Sequence, residues 1–170
     1  MYYSATYDSP VGKLYIVSDE ASIVGLWLEG QKYFFGNIKG TPREEGELPV
    51  LKMAIQWLDD YFSGKQPEIS CLPLAPQGSE FRKIVWDILC EIPYGEVRTY
   101  GAIAKEVARR MGRRSMSAQA VGGAVGHNPI SIIIPCHRVL GSDGGLTGYA
   151  GGVDKKVKLL CHEGLAIEIM

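Results

Sequence analysis

The chain has 170 residues, 46% of them hydrophobic and 22% charged, with a formal net charge of −1. That length holds one full core or two compact units sharing an interface, and the composition is that of an ordinary globular protein. No apolar run approaches a membrane span and the first residues carry no basic-then-apolar signal, so the expectation is a cytoplasmic protein without membrane contact.

Charge is unevenly spread. Residues 1–79 carry 6 Lys/Arg against 10 Asp/Glu, whereas residues 80–170 carry 12 against 9. Cys71, Cys90, Cys136 and Cys161 are scattered, which in a reducing compartment reads as free thiols rather than a disulfide frame.

Tyr2 to Tyr7 and Lys13 to Ser18 are β-favouring runs joined by a turn at Asp8–Gly12, and Ile23 to Leu28 completes an antiparallel meander. Glu44 to Leu48 reads as a polar loop. Leu48, Leu51, Ile55, Leu58 and Phe62 then follow a helical period, with Gly64 placed to stop it. This first unit, 1–75, shows no catalytic constellation. Gly64 to Gly78, with Pro67, Pro73 and Pro76, reads as a connector to a second unit, 80–170.

Ser79 can cap a helix whose stripe is Phe81, Ile84, Val85, Ile88, Leu89 and Ile92. Trp86 falls off the stripe and is expected to pack on the first unit, and Cys90 reads as a core or boundary thiol. After a turn at Pro93–Glu96, Thr99 can cap a helix with the stripe Tyr100, Ile103, Ala104, Val107, Ala108 and Met111, stopped by Gly112. Ser115 or Ser117 opens another helix running to Gly126. Two helices about a short glycine-containing turn suggest a helix-turn-helix. Arg98, Lys105, Arg109, Arg110, Arg113 and Arg114 face Glu106 alone, which suits either a phosphate backbone or a solvated helix face. Gly122 and Gly123 each cost roughly 1 kcal/mol against Ala inside a helix. They permit close approach by a nucleic acid groove or by a neighbouring helix, and spacing does not separate the two.

His127-Asn128-Pro129 ends that helix. Ile130 and Ile132 to Ile134 read as a short buried strand that Pro135 terminates. Cys136, His137 and Arg138 follow at once. A thiolate forms more readily beside His and Arg, and the thiolate is what attacks. Neighbours on an extended chain face opposite ways, so His137 reaches Cys136 only through a water or a bend. Gly141–Gly145 is a turn and Thr147–Gly152 a glycine-rich loop. Asp154 can cap a last helix with Val157, Leu160 and Cys161 inward, closed by Gly164; Glu163, in its final turn, is the candidate to orient His137. Cys161-His162 repeats the Cys-His pair, but contiguous pairs lack the spacing of zinc ligands, and no metal is expected.

The chain resembles the methylated-DNA–protein-cysteine methyltransferases, the O6-alkylguanine-DNA alkyltransferases. The likeness rests on Ile134-Pro-Cys-His-Arg-Val139, Ala120-Val-Gly-Gly-Ala124, Asn128-Pro129, Gly148-Tyr-Ala-Gly-Gly152, Leu159-Leu160 with Glu163-Gly164, and Pro93-Tyr-Gly-Glu-Val97 with Tyr100. It implies an α/β protein: a small N-terminal antiparallel sheet with a helix, joined to a mostly helical C-terminal domain carrying a helix-turn-helix and a short active-site strand. It further implies single-turnover repair of O6-alkylguanine, with O4-alkylthymine a second candidate. A monomer working without a cofactor would bind the minor groove of double-stranded DNA and flip the base. Cys136 would take the alkyl group, His137 its proton through a water, and Glu163 would orient His137. Tyr100 would donate to guanine N3, and Asn128 would tie helix to strand. Tyr149, Ala150, Gly151 and Gly152 would line the base pocket with Val139, and Lys156 would stand on its rim. Thr99, Arg113, Arg114, Gln119, Ala120, Gly122, Gly123 and Arg138 would meet DNA. Gln119 stands where many relatives carry Arg, and Ala150 where some carry Ser. A lesion sensor that binds without reacting and a cysteine hydrolase are the alternatives.

Overall fold

Three strands open the chain: β1 (Tyr3–Ser9), β2 (Gly12–Ser18) and β3 (Ile23–Leu28), the last buried along its whole length. The computed structural model describes residues 1–165 apart from Tyr33, Asn37, Ser142 and Thr147, so parts of both glycine-rich stretches and residues 166–170 lie outside the described residues. β1, β2 and β3 form an antiparallel meander. Arg43–Glu44, read as loop from sequence, forms a short strand β4 parallel to β1 and gives the sheet order β3-β2-β1-β4.

Helix α1 (Pro49–Phe62) lies on this sheet, with Pro at its first position, where a missing N–H costs nothing. Its buried face is Val50, Leu51, Ala54, Trp57, Leu58 and Tyr61, rotated from the expected stripe so that Ile55 and Phe62 sit at the margin. The connector is not free chain. Ile23 N donates to Pro73 O and Ala75 N to Ile23 O, both at 2.8 Å, so the segment runs along β3.

Local caps set the second half. Ser79 Oγ accepts from Arg82 N at the start of α2 (Glu80–Cys90). A two-residue strand β5 (Arg98–Thr99) precedes α3 (Tyr100–Met111), where Thr99 Oγ1 accepts from Ala102 N. Gly112, at φ 66°, adopts the left-handed turn that ends α3. Ser117 caps α4 (Ala118–Gly126). Helices α2, α3 and α4 pack on one another. Trp86, expected against the first unit, is instead buried under α4 and donates from Nε1 to Ala124 O at 2.9 Å.

The run expected as an active-site strand is a buried turn. Pro129 O and Ser131 N bond to Leu26 of β3 in a single bridge, after which Ile134 N reaches back to Ile130 O at 3.0 Å. Ile132 sits at φ 72°, an unusual place for a β-branched residue. Bonds from Asn128 and β3 outweigh the strand preference of the isoleucines. A single 3₁₀ turn, Cys136–Arg138, follows, and then β6 (Val139–Leu140), parallel to β5.

Helix α5 (Val153–His162) starts from Gly152 at φ 104°, not from a cap by Asp154, which sits inside the first turn. It buries Lys156, Val157, Leu159 and Leu160, whereas Cys161, expected inward, is exposed. One hydrophobic cluster takes in residues of both halves, from Ala5 to Leu159.

Candidate active site and nucleic-acid interface

Cys136 ends the buried turn with its side chain on the wall of a cavity of about 670 Å³. Tyr100, Gln119, Gly122, Gly123, Asn128, Tyr149 and Ala150 share that wall. The 3₁₀ turn, rather than an extended chain, carries Cys136 and His137, which supplies the bend adjacency alone could not. Asn128 Nδ2 donates to Ile134 O at 2.9 Å and to Ile130 O at 3.3 Å, while its Oδ1 accepts from Ile130 N. The end of α4 is thereby stitched to the turn that holds the thiol.

Behind Cys136 lies a buried carboxylate with five donors around it. Glu163 Oε2 accepts from His137 Nε2 at 2.6 Å, from Tyr61 Oη at 2.6 Å and from Arg138 Nη2 at 3.1 Å. Its Oε1 accepts from Arg138 Nε at 2.7 Å and from Gly95 N at 3.0 Å. Burial works to raise the Glu163 pKa, but the hydrogen bond from His137, followed by those from Arg138 and the Gly95 amide, holds the carboxyl well below its usual range. With Glu163 ionised, the network assigns the His137 proton to Nε2. Nδ1, buried and without a protein partner among the described residues, is left as the basic nitrogen.

Burial pushes the Cys136 thiol above its ordinary value, opposed by the Asn128 amide, the Lys156 charge and the Tyr149 hydroxyl. The resting group is therefore a thiol that needs a base. Burial also lowers the His137 pKa against the pull of Glu163, which keeps its imidazole neutral. Burial of the Tyr149 hydroxyl, beside Cys136, raises that group well above the ordinary phenol range.

Several expected positions differ. Arg138 is not on a DNA-facing surface: its guanidinium is buried, paired to Glu163 and bonded to Ile92 O at 2.7 Å. Lys156 is fully buried rather than on a rim, and burial, countered by the Cys136 charge, draws its pKa down to about 8. Gly151 packs against Leu28 and the Tyr149 ring, Gly152 starts α5, and Val139 is buried in β6; none of the three lines the cavity. Thr99 is half-buried with its oxygen in the α3 cap.

The helix-turn-helix surface stands beside the cavity. Gln119, Ala120 and Gly123 are exposed on α4, as are Arg113 and Arg114 on the preceding loop. A side chain at Gly123 would meet nothing within 4 Å, and one at Gly122 would touch only the Tyr100 ring at 3.9 Å. No neighbouring helix among the described residues explains these glycines. Arg109 and Arg110 are paired to Glu106, and Arg110 also to Glu91, which removes them from the free basic cluster.

Three contributors had no sequence signal. Gln31 and Lys32, after β3, line the cavity; Ser131 Oγ donates to Gln31 Oε1, and Lys32 N to Ala150 O. Tyr61 comes from α1, and only its i,i+4 spacing from Trp57 on the buried face hinted at an inward ring.

A buried, base-backed thiol on a cavity flanked by a helix-turn-helix defines a nucleophilic-cysteine protein with a nucleic-acid-binding element. Residues 80–165 match the 6-O-methylguanine DNA methyltransferase, DNA binding domain, and residues 1–76 its ribonuclease-like domain. The chain is 43% identical over 160 residues to the methylated-DNA–protein-cysteine methyltransferase of Haemophilus influenzae, covering 93% of this chain and 84% of that protein. It is 42% identical to the protein of the same name from Methanosarcina acetivorans, covering 96% and 99%. The crystal structure of Mycobacterium tuberculosis OGT in complex with DNA superposes with a TM-score of 0.79 at 37% identity, covering 95% of this chain and 91% of that one. The chain belongs to the 6-O-methylguanine DNA methyltransferase family.

Proposed function

We propose that this protein repairs duplex DNA by moving the alkyl group from O6 of guanine to Cys136 in one displacement. The single observation that carries the proposal is the Cys136 side chain on the cavity wall with the buried His137–Glu163 pair behind it. In the step, His137 Nδ1 takes the thiol proton through a water, Sγ bonds to the alkyl carbon, and the C–O bond breaks with its electron pair going to the guanine. Tyr100, at the cavity wall, donates toward N3 as negative charge develops on the leaving base. A thioether does not hydrolyse, so each molecule acts once.

The base reaches the thiol only if flipped out of the stack, which costs a few kcal/mol and least at a weakly paired lesion. The open surface at Gly122 and Gly123 supports close approach of a minor groove, and Gln119 would face the vacated stack. Likeness to a relative solved with DNA supports the same partner. Four free cysteines suit a reducing cytoplasm. Incubation with excess O6-methylguanine duplex is expected to consume one lesion per protein molecule and then stop. Continued turnover would overturn the proposal and return the hydrolase alternative.

A further inference from the structure

Tyr61 stands in α1, in the N-terminal half, yet its hydroxyl ends on the active-site carboxylate 102 positions away. It donates at 2.6 Å to Glu163 Oε2, the same oxygen that accepts His137 Nε2–H at 2.6 Å. The ring is held on every side. It stacks on Trp57 with centroids 5.6 Å apart and meets Tyr94 edge-on at 5.9 Å, and Tyr61 O accepts from His162 Nε2 at 2.7 Å. Packing alone does not require that hydroxyl, because phenylalanine would fill the same space.

A carboxylate oxygen that shares its charge among several donors is a weaker acceptor toward each. Tyr61 therefore limits how strongly Glu163 can draw positive charge onto His137. Other groups facing the pair are Arg138, Tyr94 and the Gly95 amide on the Glu163 side, and Lys156, Arg138 and Cys136 on the His137 side. All of them belong to the C-terminal half; Tyr61 alone does not.

We infer that Tyr61 is a positioning residue for the Glu163–His137 pair, through which the N-terminal half sets the basicity of the group that activates Cys136. This rests on Cys136 being the alkyl acceptor. Tyr61→Phe removes one oxygen and keeps the packing. The single-turnover transfer constant on the plateau above the acid limb is expected to rise about two- to threefold, because a more basic His137 takes the thiol proton more readily. The acid limb of its pH profile should move to higher pH, and affinity for the lesion duplex should stay unchanged. Ile55→Val, which trims α1 at the margin of its buried face, should leave rate and limb in place.

The ¹⁵N shifts of His137, titrated in free protein without DNA, provide a readout independent of the reaction; the imidazole should protonate at higher pH in Tyr61→Phe. Superimposable rate profiles and titrations for wild type and Tyr61→Phe overturn the inference. Should wild type fail to react with the lesion, the repair function falls, and the His137 titration still decides the role of Tyr61. If Tyr61→Phe does not fold, 3-fluorotyrosine placed at position 61 alone must move the same limb, and an unmoved limb overturns the inference.

Discussion

His137 and Glu163 share a hydrogen bond of 2.6 Å between side chains with no solvent exposure. Out of contact with water, an ionised carboxylate fixes one imidazole tautomer, and that tautomer turns a basic nitrogen away from Glu163. On the proposed mechanism, the base and its orientation are products of this buried contact.

Glu163→Gln should break both. A glutamine amide can donate to Nε2, which moves the imidazole proton to Nδ1 and removes the base. Transfer is expected to slow by about 10²-fold or more. The Arg138 guanidinium would also lose its buried counter-charge, at a cost of roughly 3–5 kcal/mol in stability. Rapid-quench transfer assays and urea melts check the two effects separately.

The pH dependence follows from burial. His137, lowered from 6.5, stays neutral below the pH at which a free imidazole would protonate, so the transfer rate should hold through pH 6.5 and fall only in more acid solution. For stability, Glu163 has a folded pKa below its unfolded value of 4.5, so its contribution is present above that value and lost as pH falls through the folded pKa. Lys156, also lowered, gives the same sign of pH dependence on the alkaline side. Its folded pKa of about 8 lies below 10.5, so the folded state binds fewer protons and stability should rise with pH between the two. Lys156→Met should abolish that rise in melts recorded across this range.

Arg138 and the pair Arg113/Arg114 should part company in DNA titrations. Arg138→Ala is expected to lower the melting temperature and leave the salt dependence of DNA binding intact, since its charge is spent on Glu163. Arg113→Ala with Arg114→Ala should leave stability within about 0.5 kcal/mol and weaken binding to any duplex. The slope of log K against log salt should become shallower by about two.

Gly123→Ala separates folding from recognition. Nothing in the free protein opposes the added methyl, so the helix should gain about 0.5–1 kcal/mol. If DNA approaches the backbone there, affinity for duplex should fall while the melting temperature rises. A gain in both would remove α4 from the interface.

Helix boundaries were legible in the sequence because capping is local. Ser79, Thr99 and Gly112 each act within one turn and sit where the pattern put them, Ser117 is one of the two caps it offered for α4, and Asp154 is the cap that failed. Cys136 and His137 stand out by residue type and adjacency, and the structure brings Glu163, placed at the last helical turn, into contact with His137. What escaped depends on distant partners. The isoleucines from Ile130 to Ile134 have strand propensity, but Asn128 and Leu26 fold them into a turn. Arg138 reads as a DNA cation until burial by Ile92 and Glu163 is known. Trp86 meets α4 and not the first unit because its indole N–H finds Ala124, a partner that the α2 periodicity does not encode. The partner of the Tyr61 hydroxyl has no local signal because it lies in the other half of the chain.

The most direct measurement is a peptide mass map of the protein after reaction with excess O6-methylguanine duplex. The peptide containing Cys136 should be heavier by one methylene, in an amount equal to the lesion lost, with Cys71, Cys90 and Cys161 unchanged. Loss of the lesion with Cys136 unmodified, or label on the exposed thiols of Cys71 or Cys161, would contradict the assignment of Cys136 as the acceptor.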